Sequence, residues 1–560
     1  MKKRKIAIFL GLILLLATLL RFWGIVGSDL KHDAAINSVR AFGWFDFLAG
    51  VGQTSPLVWF GSIPWWANLS FHDHPPLVFL IQRIFFAVFG DSVLVALLPF
   101  LLGGVILTFL IYYFVSKFKD KKTGLMASFI FAFSSYSVWL SRTGYLEGVE
   151  ILFVALSIFF LISFIYSNKN KFLFFWALTL GLALISKYTA IFLIPASLVT
   201  FLIYKRSTFK QKKFYLSLLL ILVILSPVIF YNYQVFITRG HFDAALSSMV
   251  GMHPEDFSVI SSRGVNDNFG SNSTSIFNSL WAISSQPFSW LFILSIVYFL
   301  FKLFKKRSDV FENILAINFL FLLLMFLFAG PAVRFLSLAT IFIDIFVAIL
   351  LVDIFMMVNE KKWLKYSLIS LLVLVFGFEF FYSINTNILI KPIGTSGLYF
   401  SSARFYETGF DRLEQYLKQN VFSQKLQKKR ITKLIDGQAD VDLKAGQIIL
   451  FDERVNWFPR MWHIDKYIHY YHQPLVFFSD LDRTVPGDQD MIGYLADYGV
   501  KDFWLVAAGP AGIAQTDNQS YNELLDNLEQ YLSQAGVEPI EEIKNWDNQV
   551  SFKIYHFQTK

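Results

Sequence analysis

Residues 1–24 read MKKRKIAIFLGLILLLATLLRFWG. A basic cluster at residues 1–5 precedes an apolar run at residues 6–20, and residues 21–23 (Arg-Phe-Trp) are types that favour the lipid headgroup region. A helix of roughly 20 apolar residues crosses a bilayer. Because no small-x-small cleavage site follows the run, we interpret it as an uncleaved first membrane span rather than a secretory signal.

The same pattern of apolar runs beside charged residues continues along the chain. Of the 560 residues, 55% are hydrophobic and 16% are charged, whereas soluble proteins carry about 25% charged residues. The absence of cysteine excludes disulfides and thiolate metal sites. Because the net charge of +8 is concentrated in short loops between apolar runs, we interpret it as a topology signal and predict no nucleic-acid partner. Composition therefore predicts an α-helical polytopic protein of the cell membrane.

The apolar runs predict about 11 transmembrane helices. The predicted spans are residues 6–24, 92–115, 122–139, 148–166, 171–186, 189–204, 214–232, 276–301, 311–329, 335–357 and 364–384. Basic connections alternate with connections poor in Lys and Arg, so the positive-inside rule predicts a cytoplasmic N-terminus and an extracytoplasmic C-terminus. Residues 77–90 are apolar but short, and we expect them to form an interfacial helix within a first extracytoplasmic loop, residues 25–91.

The character of the chain changes after about residue 390. Residues 391–560 hold 23 of the 41 acidic residues and lack a long apolar run. We therefore predict two domains, a transmembrane domain at residues 1–390 and a soluble extracytoplasmic α/β domain at residues 391–560. The predicted strands are residues 448–451, 474–478, 503–507 and 550–557, and the predicted helices are residues 488–498 and 520–535.

Two segments of the first loop contain residues suited to chemistry. Asp33 lies in a stretch that reads as helical, where it fits a general base as well as a solvated loop aspartate or a helix cap. The segment His72-Asp73-His74-Pro75-Pro76 fits a site for a divalent metal or a phosphate. Its carboxylate, Asp73, equally fits the cap of the helix that follows.

Three cations are predicted to face the same outer side of the membrane, at the ends of spans. They are Arg142, Lys187 and Arg334. A single such cation is explained by snorkelling, whereas three together suggest a site for a lipid phosphate. Glu147 follows Arg142 by five residues and is expected to support the site. Because they lie at span ends, we expect replacement of Lys187 or Arg334 to weaken binding at this site while leaving the protein folded.

These residues, in this order, resemble motifs of the GT-C superfamily of polyprenyl-phosphate-sugar-dependent glycosyltransferases. The likeness is greatest to protein O-mannosyltransferases and lipid A aminoarabinose transferases, over roughly residues 5–360. Asp33 corresponds to the acidic residue that serves as catalytic base, although many relatives have Asp-Glu where this chain has Asp33-Ala34. In the element similar to His/Lys-Pro-Pro-Leu, Asp73 and His74 lie where relatives carry an acid and a cation near the sugar phosphate.

The remaining motifs resemble later elements of the same superfamily. Residues 142–147 are similar to Arg-x-x-x-x-Asp, residues 181–189 to Gly-Leu-Ala-x-x-Thr-Lys-Tyr, and residues 331–335 to a late Arg-Tyr element. The Trp-Trp-Asp-Tyr-Gly signature of the oligosaccharyltransferase branch is absent from the sequence. The resemblance therefore implies a superfamily but not a particular sugar.

The resemblance implies an integral membrane glycosyltransferase that moves one sugar from a polyprenyl-phosphate donor to an extracytoplasmic protein, lipid or glycan, with inversion. Its implied base is Asp33, and its implied donor-phosphate ligands are Lys187, Arg334, Arg142 and His74. Relatives differ in their need for a metal, so a divalent ion at His72, Asp73 and His74 is left open and no other cofactor is expected. Membrane lipids are the other expected partners.

The alternative function is a transporter or flippase of polyprenyl-linked glycans. Such a protein is expected to show repeated spans and charged or helix-breaking residues near the middle of the bilayer. Here the sequence shows no clear internal repeat, and the ionisable residues are predicted to gather at one face. We therefore favour the transferase.

Overall fold

The computed structural model describes most of the chain and divides it into two compact units. It describes residues 3–30, 32–46, 54–257, 269–330, 333–389, 407–422, 426, 428, 446–478, 491–497, 499–514, 530, 532–534 and 536–559. Unit 1 comprises Met1–Gly24, Asp46–Trp59 and Pro64–Ser402, and unit 2 comprises Ile25–Phe45, Phe60–Ile63 and Ala403–Lys560.

Unit 1 is built from α-helices joined by short turns. Its α-helices are Lys3–Phe22, Leu77–Phe89, Val93–Phe118, Lys121–Phe133, Ser135–Thr143, Glu147–Ser167, Asn170–Leu184, Leu193–Tyr204, Lys212–Arg239, Ala244–Met249, Phe269–Ala282, Gln286–Phe304, Val310–Ala329, Thr340–Met357 and Lys362–Asn387. A short helix, Pro56–Phe60, ends at the junction with unit 2, and 3-10 turns occur at Trp65–Leu69, Tyr188–Phe192, Arg206–Lys210, Glu255–Phe257 and Val333–Ala339.

Eight helices in the described residues are long and apolar enough to cross a membrane. A ninth span results if Lys121–Phe133 and Ser135–Thr143, which meet at a 57° bend, are counted together. Two shorter apolar helices, Asn170–Leu184 and Tyr188–Tyr204, coincide with two further predicted spans. The polytopic helical architecture is thus confirmed, while the count of 11 stays a prediction.

One predicted span is wrong in its position. Residues 276–301 do not form one helix, because the chain breaks between Phe269–Ala282 and Gln286–Phe304. Ser285 has extended backbone and begins the second helix, with Pro287 in its first turn. Proline is favoured in the first turn of a helix, where its missing N–H costs nothing, so this sequence starts a helix rather than continuing one.

Buried carboxylates stabilise the helix breaks in unit 1. Glu379 accepts the backbone N–H of Ser135 at 2.8 Å and that of Ser285 at 2.7 Å, so it satisfies the first N–H groups of two helices. An unpaired N–H buried in an apolar surrounding costs about 1–3 kcal/mol. Glu379 therefore satisfies the N–H of Ser135, the first residue after the bend, in the helix that carries Arg142.

Unit 2 contains a five-stranded mixed sheet with helices on both faces. Its strands are β1 (Gln447–Phe451), β2 (Leu475–Phe477), β3 (Asp502–Ala508), β4 (Glu541–Lys544) and β5 (Val550–Gln558), in the order β2-β1-β3-β5-β4. β1 is parallel to β2 and β3, whereas β5 is antiparallel to β3 and β4. Its helices are His32–Gly43, Phe410–Asn420, Trp457–Arg460, Lys466–Tyr471 and Met491–Asp497, with a π-helical turn at Met461–Asp465.

The predicted α/β character of the C-terminal residues is confirmed, with further elements that the sequence did not predict. All four predicted strands are present, and the structure adds β4 and the helical segments Phe410–Asn420, Trp457–Arg460, Met461–Asp465 and Lys466–Tyr471. The helix Phe410–Asn420 packs Leu413 and Leu417 against one face of the sheet, while Leu495 packs against the other. Most of the predicted helix at residues 520–535 lies outside the described residues.

The first loop is divided between the units. Residues 25–45, predicted to be part of the first extracytoplasmic loop, belong to unit 2 together with the C-terminal residues. They include a helix of 12 residues, His32–Gly43, here called the first-loop helix. The helix Leu77–Phe89 forms as predicted and lies in unit 1.

Candidate active site

Two of the three predicted cations meet around one buried carboxylate in unit 1. Lys187 donates a hydrogen bond to Glu147, whose side chain is 1% exposed. The guanidinium Nε of Arg334 lies 3.8 Å from the same carboxylate oxygen, and its side chain is 29% exposed. The Lys187 ammonium lies 4.3 Å from the ring centre of Phe335, and Arg334 stacks over Tyr145 at 5.7 Å. We call Lys187, Glu147 and Arg334 the cation cluster.

Each member of the cluster lies where a helix starts or has just ended. Lys187 has extended backbone (φ −163°, ψ 146°) shortly after the helix Asn170–Leu184. Glu147 is the first residue of its helix, where a carboxylate is favoured by the helix dipole. Arg334 lies in the 3-10 turn that leads into the helix Thr340–Met357. The geometry is thus set by rigid elements rather than by long loops.

The histidines of the His-Asp-His-Pro-Pro segment contact two different carboxylates. His72 is fully buried, and its Nδ1 lies 2.5 Å from Asp46 Oδ2. The backbone N–H of His72 donates to the same oxygen at 2.6 Å. His74 Nδ1 lies 2.9 Å from Asp73 Oδ1. Asp46 was not predicted as a site residue, because 26 residues separate it from His72.

Backbone hydrogen bonds bring this segment next to the turn that carries Lys187. The N–H of Leu77 donates to the carbonyl of Ile185 at 3.1 Å, and that of Ala244 donates to the carbonyl of His72 at 2.7 Å. The His-Asp-His-Pro-Pro segment thus lies beside the turn of Lys187. Because Lys187 also pairs with Glu147, the three motifs that contain His72, Glu147 and Lys187 meet in unit 1.

A second carboxylate, Asp243, fixes the residue after Lys187. Its Oδ2 accepts the hydroxyl of Tyr188 at 2.6 Å and the amide of Asn232 at 2.8 Å, and its Oδ1 accepts the backbone N–H of Leu246 at 2.8 Å. Burial raises the pKa of Asp243 above the ordinary value of a carboxyl group, although these hydrogen bonds oppose the shift. Sequence reasoning missed Asp243, whose only local signal is that of a helix cap.

Arg142 has a different environment from the other two cations. It is 4% exposed, and its Nη1 donates to the carbonyls of Leu20, Arg21 and Trp23 at 3.1, 3.0 and 2.7 Å. Those carbonyls lie at and just beyond the end of the first membrane helix, where they have no partner within the helix. This geometry favours a helix-capping role for Arg142 and leaves Lys187 and Arg334 as the better candidates for a phosphate.

Asp33 lies in unit 2, in the first turn of the first-loop helix. Its side chain is half-buried, and Ala34 and Ala35 are buried beside it. His32, which begins the helix, has φ of 51°, a left-handed conformation that is uncommon for residues other than glycine. The centre of the His32 ring lies 5.1 Å from the centre of the Phe458 ring. Asp33 thus lies on a helix that packs within its own unit.

The metal prediction stays open. In unit 2, the side chains of Asp411, Glu414 and His463 have potential metal-ligand atoms within 4.8 Å of one another. This is the one such group of three among the described residues. His72 and His74 are instead engaged by separate carboxylates. No step of the chemistry below depends on a metal.

Comparisons by sequence agree with the motifs. A family model described as dolichyl-phosphate-mannose-protein mannosyltransferase matches residues 73–231. Two proteins of Bacillus subtilis (strain 168) are similar over part of their length. "Putative mannosyltransferase YkcB" is 27% identical over 231 residues, which is 40% of this chain and 30% of the relative. "Putative mannosyltransferase YycA" is 30% identical over 155 residues, 28% of this chain and 22% of the relative. The matches thus span less than a third of either relative.

Comparisons by structure extend over nearly the whole chain. ArnT from Cupriavidus metallidurans, solved bound to undecaprenyl phosphate, aligns with a TM-score of 0.52 at 10% identity, covering 99% of this chain and 98% of ArnT. The archaeal oligosaccharyltransferase AglB from Archaeoglobus fulgidus, solved with an inhibitory peptide and a dolichol-phosphate, aligns with a TM-score of 0.52 at 13% identity, covering 90% and 69%. The chain therefore has the fold of GT-C glycosyltransferases, and the predicted resemblance is confirmed at that level.

Proposed function

We propose that this protein is a membrane glycosyltransferase that transfers one sugar from a polyprenyl-phosphate donor to an acceptor outside the cytoplasm. The observation that carries the proposal is the cation cluster, in which Lys187 and Arg334 share Glu147 at the ends of apolar helices. The fold and the solved relatives, which bind dolichol-phosphate or undecaprenyl phosphate, support it. The family model and the Bacillus relatives favour a hexose such as mannose.

The two cations suit the leaving group of this reaction. When the bond between the anomeric carbon and the phosphate oxygen breaks, the electron pair stays on that oxygen and negative charge grows on the phosphate. Arg334 is exposed enough to reach a ligand, and its guanidinium can bind a phosphate through two parallel N–H groups. Lys187 adds a point charge. Glu147 holds both cations in position before the donor arrives, so little reorganisation is needed as charge develops.

Asp33 is the proposed catalytic base. The acceptor hydroxyl or amine attacks the anomeric carbon while its proton passes to the Asp33 carboxylate, and the polyprenyl phosphate departs from the opposite side. One displacement of this kind inverts the anomeric configuration. His74, paired with Asp73 beside the turn of Lys187, is a further proposed contact to the sugar phosphate.

The proposed orientation places the first loop and unit 2 outside the cytoplasm. Its support is the alternation of basic and Lys/Arg-poor connections in the sequence. The transporter alternative gains nothing from the buried acid Glu379, because both oxygens of that carboxylate accept backbone N–H groups at helix starts.

The catalytic test is Asp33→Asn in a transferase assay with a radiolabelled polyprenyl-phosphate sugar. Asparagine keeps the shape of aspartate but accepts no proton at neutral pH, so turnover should fall by about 10²- to 10⁴-fold. Donor binding should survive, because the cation cluster is untouched. Asp547→Asn is the matched control, since Asp547 is exposed in the same unit. Near-normal turnover of Asp33→Asn would move the base to Asp73 or Glu147.

A further inference from the structure

A buried histidine links the chain just before Asp33 to the core of unit 2. The backbone N–H of Leu30, three residues before Asp33, donates to His463 Nε2 at 3.2 Å. The other ring nitrogen, Nδ1, lies 2.6 Å from Glu414 Oε2. His463 is fully buried. Because a backbone N–H only donates, Nε2 must be the acceptor, so neutral His463 carries its hydrogen on Nδ1 and donates it to Glu414.

Glu414 is itself immobilised by donors from its own unit. Its Oε1 accepts the hydroxyl of Tyr467 at 2.5 Å and lies 2.8 Å from the ammonium groups of both Lys418 and Lys466. Burial alone would raise the pKa of Glu414, but the charge of Lys466 and the hydrogen bond from His463 hold it well below its ordinary value. Glu414 is thus a fixed anion that fixes the ring of His463.

This arrangement leaves little capacity for a metal at Asp411, Glu414 and His463. Both ring nitrogens of His463 already have partners, and the carboxylate of Glu414 has four. A metal would have to displace the N–H of Leu30 or the proton shared with Glu414. The cluster therefore reads as a hydrogen-bonded link between the first loop and the rest of unit 2.

Other contacts hold the same segment on both sides of Asp33. Before it, the carboxylate of Asp29 accepts the backbone N–H and the hydroxyl of Thr408, each at 2.5 Å, and the N–H of Asp411 at 2.8 Å. After it, the hydroxyl of Tyr470 donates to the carbonyl of Val39 at 3.1 Å.

The end of the first-loop helix packs closely against Tyr470 of the same unit. A Cβ atom on Gly43 would lie 2.1 Å from the ring of Tyr470, so only glycine fits there without a shift of that ring.

We propose that His463 is a positioning residue for catalysis, which fixes the first-loop helix, and Asp33 with it, through the N–H of Leu30. The proposal rests on the proposed function, because Asp33 is the base of that reaction. It assigns a role to the C-terminal residues that the sequence did not suggest, namely to hold a catalytic helix contributed by the first loop. The link is long-range, since 433 residues separate Leu30 from His463.

The test compares two substitutions that each preserve one half of the link. In His463→Gln, the side-chain oxygen can replace Nε2 as the acceptor for Leu30. In His463→Asn, the shorter amide can replace Nδ1 as the donor to Glu414 but leaves Leu30 without an acceptor. His556→Asn is the control, because His556 pairs with Asp502 at 2.6 Å within the sheet and not with the first loop.

The first measurement is amide hydrogen exchange of full-length protein, which needs no activity. Exchange in peptides covering residues 28–43 should rise by about 3- to 10-fold in His463→Asn, as expected for one lost hydrogen bond, and by less in His463→Gln. Peptides from β3 should be unchanged in both variants, which shows that the unit is still folded. Equal exchange of residues 28–43 in the two variants would overturn the inference.

The second measurement is the split between kcat and the KM for donor. His463→Asn should lower kcat more than His463→Gln does, with the donor KM unchanged in both, because Lys187 and Arg334 are intact. If exchange follows the expected order but kcat is normal in both variants, the catalytic role is refuted. If the wild-type protein shows no transfer at all, the proposed function fails, while the exchange order still supports the positioning of the helix by His463.

Discussion

Removal of Lys187 should damage both the fold and donor binding, whereas removal of Arg334 should damage donor binding alone. The side chains of Lys187 and Glu147 are 9% and 1% exposed, so their ion pair is buried. In Lys187→Met, Glu147 keeps Arg334 at 3.8 Å, beyond hydrogen-bonding distance. Breaking a buried pair by removing one partner costs about 3–5 kcal/mol. From the sequence we expect the protein to stay folded without either cation; the buried pair adds the expectation that Lys187→Met is less stable than wild type.

Arg334→Ala provides the contrast. Its side chain is 29% exposed and the Lys187–Glu147 pair survives without it, so the expected loss of stability is about 0–1 kcal/mol. Both variants lose one charged contact to the donor phosphate, worth about 10- to 150-fold in donor affinity. Thermal unfolding of purified protein gives the first quantity and titration with polyprenyl-phosphate sugar gives the second.

A double variant isolates the buried charge as the cause. Lys187→Met with Glu147→Gln removes the carboxylate that pairs with Lys187, so it should regain part of the stability that Lys187→Met loses, with a coupling of about 0.5–3 kcal/mol. Donor affinity should stay low, because no cation has been restored. The reasoning is refuted if Lys187→Met is as stable as wild type, or if the double variant is less stable than Lys187→Met.

Two further predictions concern unit 2. Although burial raises it, the pKa of Glu414 is held below its unfolded value by Lys466 and His463. The ionised carboxylate therefore stabilises the fold fully above about pH 4.3, and this stabilisation is lost as the pH falls through the folded pKa. In denaturant titrations, the difference in unfolding free energy between wild type and Glu414→Gln should narrow from pH 6 towards pH 3, and a constant difference would contradict the prediction. The orientation of the chain in the membrane can be tested by cysteine labelling, because the chain has no cysteine and Asp547 and Ser207 are exposed. An impermeant thiol reagent on intact cells should label Asp547→Cys and not Ser207→Cys. The reverse pattern would overturn the proposal that the active site faces the outside of the cell.

Much of the fold could be predicted because the dominant signals are local. Apolar length identifies most of the spans, and short continuous apolar runs identify β1 and β3. The prediction failed at residues 276–301, where apolar residues flank a short polar stretch at residues 284–287 in which Ser285 and Pro287 start a new helix. It also missed the helix Phe410–Asn420, which is strongly polar on one side and whose burial depends on a sheet that forms later in the chain.

The residues of the candidate site could be singled out from the sequence because each is an ionisable residue at the end of an apolar span. The sequence singled out Lys187, Glu147 and Arg334 separately. The structure adds that the two cations share the carboxylate of Glu147. Arg142 gave the same signal of an arginine at a helix end, yet its hydrogen bonds go to the carbonyls of the first membrane helix. Sequence position alone does not separate a cation that faces a ligand from one that caps a helix.

The division of the first loop has a consequence for how the activity is organised. The proposed cations belong to the unit of membrane helices, whereas the proposed base belongs to the unit that contains the sheet. In the proposed reaction, binding of the lipid phosphate and acceptance of the proton are assigned to different units of the chain. Defects in the link through His463 should appear in kcat, and defects in the cation cluster should appear first in donor affinity.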